Sequence, residues 1–134
     1  MPVERHSPDC FVCGFLGVDV RVGAEAGGPG HAAADLLLDH RFTGPPGMVH
    51  GGAIAAVFDE LLGAAVLDLT PRAFTAHLEI DYRAPWPLGT AARMTAVVAW
   101  LGERKLDARA ELRTADAAGT LLCEARGLWI VPRG

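Results

Sequence analysis

The chain has 134 residues, of which 51% are apolar, enough to build one core without disulfide or metal staples. A net charge of -4 lacks the basic footprint of a nucleic-acid binder, so any anionic ligand must be met by local arginines. No charged stretch precedes an apolar run at the N-terminus, and no apolar run approaches the roughly 20 residues needed to span a bilayer, which predicts a cytoplasmic protein with no membrane partner.

Residues 1–15 read as an irregular lead-in to a single domain over 1–134, since no repeat, low-complexity tract or linker interrupts the chain. Val18, Val20 and Val22 alternate with Asp19 and Arg21, the period of a half-buried strand. The AEAGGPG run then turns the chain into a hairpin with a second strand, His31 to Asp39. The stretch FTGPPGMVHGG holds two prolines and four glycines, so it forms a loop of unusual backbone angles.

From Gly51 to about Leu67 the pattern becomes a helix rich in Ala and Leu, with Ile54, Val57, Phe58, Leu61, Leu62 and Val66 spread around nearly its whole circumference. Such a helix is expected to have no solvent face. After Pro71 the period returns to two: Phe74, Ala76, Leu78, Ile80 and Tyr82 alternate with Thr75, His77, Glu79, Asp81 and Arg83, a strand with one wet face. PWPLG ends it. Arg93 to Leu101, Lys105 to Arg113 and Leu121 to Val131 follow as strands joined by short turns, an antiparallel meander. A lone apolar helix is buried only if the sheet curls around it, which predicts an α+β hotdog fold of about six strands. The far side of that helix and one sheet edge would stay bare, so a homodimer, or a dimer of dimers, is expected.

Asp59 and Glu60 are the only charges in the apolar helix, and Asp59 is flanked one turn away by Ala55, Ala56, Leu62 and Gly63. Burying a carboxylate costs several kcal/mol, on the order of what one ion loses after relaxation, so a ligand beside Asp59 is one justification and an arginine partner such as Arg72 is another. His50, Gly51 and Gly52 stand where the loop enters the helix. Backbone N–H groups there lack intrahelical partners at the positive end of the dipole, and glycine lets a carbonyl oxygen approach them. Gly51 and Asp59 are eight residues apart, about 12 Å along the axis at ~1.5 Å per residue, too far to share one site within a chain. Antiparallel helices across a two-fold axis would bring Asp59 of one subunit to Gly51 of the other.

The segments GPPGMVHGGAIAAVFDELLG and AFTAHLEIDYRAP and the meander, essentially residues 15 to 132, resemble the hotdog acyl-CoA thioesterases related to the phenylacetate-pathway and 4-hydroxybenzoyl-CoA enzymes. The leading CFVCG resembles a subgroup with a C-x-x-C-G start. The resemblance implies that Asp59 acts as general base or nucleophile, that Gly51 supplies the oxyanion N–H, and that Thr75 helps hold the attacking water. One position departs from it: several of these enzymes carry Asn or Gln six residues before the HGG histidine, where Gly44 stands here.

Two other activities share this fold. An acyl-CoA binding module would keep the pocket without the chemistry, and a hydratase or dehydratase would use His50 with Asp59 or Glu60 as acid and base. The remaining candidates for substrate contact are the Gly52 N–H, His77 on the polar strand face, and Arg83, Arg104 and Lys105 as cations for coenzyme A phosphates. Cys10, Cys13 and Cys123 are an odd number in a chain read as cytoplasmic, so no disulfide framework is expected. A zinc site built from Cys10 and Cys13 with His6 or Cys123 would lack the usual second ligand pair, so no metal and no cofactor is expected.

Overall fold

The computed structural model describes Asp9 and residues 18–133; His6, Cys10 and Cys13 therefore lie outside the described residues. Among the described residues, six strands, β1 (Arg21–Val22), β2 (His31–Leu36), β3 (Phe74–Tyr82), β4 (Ala92–Trp100), β5 (Lys105–Thr114) and β6 (Leu121–Ile130), form one antiparallel sheet with one α-helix, α1 (Gly51–Leu67). The strand order is β1-β2-β4-β5-β6-β3. This is the predicted hotdog architecture. Every second residue of the central strands faces α1, including Met94, Ala96 and Val98 on β4 and Leu106, Ala108, Ala110 and Leu112 on β5, and all are buried. Phe58, Leu61 and Leu62 of α1 are fully buried against them, each contributing on the order of 1.5–3 kcal/mol by leaving water. Packing therefore holds a helix that begins with two glycines and carries a third, Gly63, inside.

The helix is closed at its C-terminus when the N–H groups of Leu69 and Thr70 fold back onto the Val66 carbonyl, just before Pro71. The Asp68 carboxylate accepts the Gly30 N–H at 2.8 Å and ties this end of α1 to the turn before β2.

Four expectations are corrected. The first strand is only Arg21–Val22: Val18 and Val20 are buried as predicted but precede the ladder, and a 3-10 turn at Gly23–Ala26 follows. The second ends at Leu36, and the chain then forms a 3-10 turn at His40–Phe42, where the Asp39 carboxylate accepts the Arg41 N–H. The helix does have an open face within one chain. Gly52 and Asp59 are exposed and Ala55, Ala56, Glu60 and Gly63 half-buried, because Ala and Gly satisfy the apolar pattern without reaching a neighbour.

The fourth correction concerns β3. It crosses over to pair with β6 and forms a free edge of the sheet, so most of it is exposed rather than one face alone; Phe74 and Tyr82 are both 52% exposed. Its register shifts between Thr75 and His77, with Thr75 opposite Trp129 and His77 opposite Leu128, leaving Ala76 as the extra residue of a bulge. Trp129 is buried on the α1 side. Thr75 therefore faces the helix, whereas unbroken alternation would have turned it outward with His77.

Candidate active site

The loop before α1 is a closed hydrogen-bonded turn. Gly44 N–H donates to the Met48 carbonyl, Met48 N–H to Pro45, Val49 N–H to Trp86 and His50 N–H to Phe42. Gly47 takes a φ of +78°, which a side chain would strain. Gly44 is required by space instead: a Cβ on it would stand 2.8 Å from the His50 Cα. The loop has closed over the position where a polar side chain would be needed to match the related enzymes.

His50 is the N-cap of α1. Its Nδ1 accepts the Gly52 N–H at 2.8 Å, and its carbonyl accepts the N–H groups of Ala53 and Ile54. The expected outward-pointing Gly52 donor is thus taken up by the cap, because a side-chain acceptor two residues upstream satisfies it better than solvent. Gly51 is the remaining residue of the first turn, and its N–H has no hydrogen-bond partner among the described residues. A donor at the positive end of a helix dipole, with no Cβ beside it, suits a developing oxyanion.

Tyr82, at the far end of β3, donates its hydroxyl to the Gly51 carbonyl at 2.7 Å. Sequence reasoning placed Tyr82 only as an apolar strand position. A polar-tipped residue ending an alternating strand that must pass the HGG turn was the available signal. Partial burial, with Cys123 beside it in the ladder, pushes the phenol up from its ordinary value. Beside Gly51 and Tyr82 lies a cleft of about 320 Å³ walled by Pro45, Met48, Ile54 and Trp86, with Arg83 as its charged wall.

Two turns further along α1, Asp59 Oδ1 accepts the Thr75 hydroxyl at 2.9 Å. The bulge and the helix meet here. Ala55, Ala56 and Gly63 leave open space around the carboxylate, and a Cβ built on Gly63 would touch nothing within 4 Å. Glu60 is half-buried and already engaged in interactions of its own.

Other candidates are scattered. His77 turns to the sheet face away from α1 and meets Glu79 at 2.9 Å, so it does not join Thr75 and Asp59. Arg83 pairs with Glu124 at 2.7 Å, and that contact holds its guanidinium above the usual value. Arg104 donates to the Val131 carbonyl, and Lys105 stands opposite Ile130 at the β4–β5 turn. Among the described residues no group of three or more His, Cys, Asp or Glu is placed to hold a metal, and no helix is long and apolar enough to cross a membrane.

The chain is 37% identical over 87 residues, 65% of its length, to the acyl-coenzyme A thioesterase THEM4 of Xenopus laevis. It spans only 39% of that relative's length. Its fold superposes on the PaaI protein from the phenylacetic acid degradation operon of E. coli with a TM-score of 0.81, at 18% identity over 94% of this chain and 87% of that one. A hypothetical thioesterase protein with coenzyme A from Streptococcus pneumoniae TIGR4 gives a TM-score of 0.72, at 18% identity over 78% of this chain and 80% of that one. The family model of the thioesterase superfamily matches residues 46–125, from the closed loop through α1 and into the last strand of the meander, and the chain belongs to that superfamily.

Proposed function

We propose that this chain hydrolyses acyl-CoA thioesters as a homodimer whose two sites each draw Gly51 from one subunit and Asp59 from the other. One observation carries this: the Gly51 N–H, without a partner among the described residues, and the Asp59–Thr75 pair stand on the same unbroken helix, eight residues apart. At ~1.5 Å per residue they are about 12 Å apart along the axis, beyond the reach of one carbonyl and one water. Strand β3 runs antiparallel to α1, touching Asp59 through Thr75 and Gly51 through Tyr82, and its outer edge is free. A two-fold axis through the middle of that edge would pair β3 with its copy, lay the open faces of the two helices together, and bring each Asp59 to the partner's Gly51 end.

In such a site the thioester carbonyl oxygen accepts the Gly51 N–H. Asp59, held by the Thr75 hydroxyl, takes a proton from a water as that water's oxygen bonds to the carbonyl carbon, and Gly51 stabilises the resulting oxyanion. Collapse breaks the carbon–sulfur bond, and the proton on Asp59 leaves with the coenzyme A thiolate. Direct attack by Asp59 would break the carbon–sulfur bond, release the coenzyme A thiolate and give a mixed anhydride that water then opens to the free acid and the Asp59 carboxylate. Arg83 at the cleft supplies a cation for the phosphates of coenzyme A from the Gly51 subunit, and Arg104 and Lys105, at the Phe74 end of the sheet, do so from the Asp59 subunit. The similarity to an acyl-coenzyme A thioesterase and the fold shared with a coenzyme A-bound neighbour support this substrate class.

The closed loop at Gly44 is the observation that favours a binding module, since the loop has no room for the polar side chain found in related enzymes. Free-thiol release from short, medium, long and aromatic acyl-CoAs, measured alongside their binding and the native mass, separates the possibilities. Thiol release by a dimer or a dimer of dimers is expected. Binding without release would leave a carrier, and water addition to an enoyl-CoA without release would leave a hydratase.

A further inference from the structure

We infer that Tyr82 is the positioning residue of the oxyanion donor, holding the Gly51–Gly52 peptide through the Gly51 carbonyl so that the adjoining Gly51 N–H, joined to it through one Cα, keeps its aim. This rests on the hydrolytic mechanism proposed above and assigns to that site a residue outside its expected machinery.

Helix α1 starts on Gly51 and Gly52, the residue type with the greatest backbone freedom. A first turn of two glycines frays unless something outside the helix restrains it. Two contacts do so here, and they hold the same peptide plane from its two edges. The His50 cap takes the Gly52 N–H at one edge of the Gly51–Gly52 peptide plane. The Tyr82 hydroxyl takes the Gly51 carbonyl, at the opposite edge of that plane, at 2.7 Å. An α-helical carbonyl already accepts one N–H from the residue four positions on, so the phenol fills the second lone pair of an oxygen whose direction sets ψ of Gly51, the torsion between this plane and the Cα that carries the donor N–H. The phenol ring also stands at ordinary contact distance, 3.6 Å, from where a Gly51 Cβ would be. Tyr82 thus borders the donor without covering it.

The base of the tyrosine is itself fixed. Tyr82 is the last residue of β3 and pairs with the fully buried Cys123 of β6, while the next residue, Arg83, donates its N–H to the Leu122 carbonyl. The phenol reaches the glycine turn from the rigid sheet rather than from the helix it restrains. With its ionisation pushed upward by burial, the hydroxyl remains a donor throughout the neutral range.

The test compares Tyr82→Phe with wild type on an acyl-CoA that the wild type hydrolyses, reading kcat and KM separately together with hydrogen exchange at the Gly51 and Gly52 amides. The expected result is a fall in kcat of roughly five- to ten-fold, the rate equivalent of one neutral hydrogen bond, with KM within about two-fold and faster exchange at both amides. An unchanged kcat in an active, folded variant would overturn the assignment and leave the hydrolytic mechanism standing. A raised KM with kcat intact would also overturn it, making Tyr82 a cleft wall only. If wild type releases no thiol from any acyl-CoA, the hydrolytic mechanism itself fails and the assignment with it.

Discussion

The Thr75 hydroxyl lies 2.9 Å from Asp59 Oδ1, although regular alternation along β3 would turn Thr75 to the opposite face of the sheet. The extra residue Ala76 makes the difference, because a bulge reverses the facing of everything before it. The contact leaves the second carboxylate oxygen of Asp59 available for a water. Thr75→Val keeps the shape of the side chain and removes the donor. With a hydrogen bond to a charged group worth about 1.5–3 kcal/mol when buried, and less at this exposed position, a fall in kcat of roughly ten-fold is expected. Steady-state hydrolysis with the melting temperature as a control checks this, and unchanged kcat would remove Thr75 from the site.

Gly44→Asn tests whether the departure from the related enzymes can be reversed by one substitution. A Cβ at 44 would lie 2.8 Å from backbone, an approach that real Cβ atoms essentially never make, so the loop must open or the residue must strain. A loss of about 1–3 kcal/mol of stability is expected, typical of overpacking, together with reduced rather than increased turnover. Urea unfolding and hydrolysis of one acyl-CoA would show it. A stable, faster variant would mean the loop is softer than its hydrogen bonds indicate.

Most of the fold was legible because β5 alternates along its length, β4 does so from Ala92 to Ala96, and turn residues separate β4, β5 and β6, so the bounds of these strands differ from expectation by about a residue. What the sequence hid had local physical causes. Val18 and Val20 are buried without pairing, so burial alone mimicked a strand. Ala55, Ala56 and Gly63 counted as apolar but are too short to cover Asp59, so the helix read as buried all round. Ala76 carries no mark of a bulge, which is why Thr75 entered the site only through the resemblance, as a residue holding water, and its contact with Asp59 was not foreseen. Tyr82 sat at the right parity for the core, and parity does not reveal that a phenol tip reaches a backbone carbonyl 31 residues earlier in the chain.

Cys123 should resist alkylation in the folded protein. It is fully buried between Tyr82 and Leu112 in the ladder, and burial raises its pKa to about 11. A thiol raised in the folded state stabilises the fold fully below its unfolded pKa of roughly 8.5, and that contribution is lost as pH rises through the folded value. Stability should therefore decline between about pH 9 and about pH 11. Alkylation followed by peptide mapping at neutral pH should leave Cys123 unmodified until denaturant is added. Rapid labelling of the native protein would show that β6 opens beside Tyr82.

The cross-subunit site makes the most demanding prediction, because it follows from the spacing of Gly51 and Asp59 on one unbroken helix. Asp59→Asn removes the base. Gly51→Val sets branched methyls against the Tyr82 ring and across the path of a carbonyl, where a bare Cβ would already stand 3.6 Å from that ring. Each variant alone should be inactive, with both of its sites damaged. In a mixed dimer, one composite site draws the altered position 59 from one chain and the altered position 51 from the other, and so carries both lesions. The second site takes the intact Asp59 and the intact Gly51 and carries none. Co-expression with two affinity tags, followed by isolation of the doubly tagged species, should then recover activity approaching half the wild-type turnover per dimer. If both residues instead serve a site inside one chain, every site in the mixed dimer holds one lesion and nothing is recovered. Failure to complement, in dimers whose composition is confirmed by mass, would return Asp59 and Thr75 to a structural pairing and require a different partner for the Gly51 N–H.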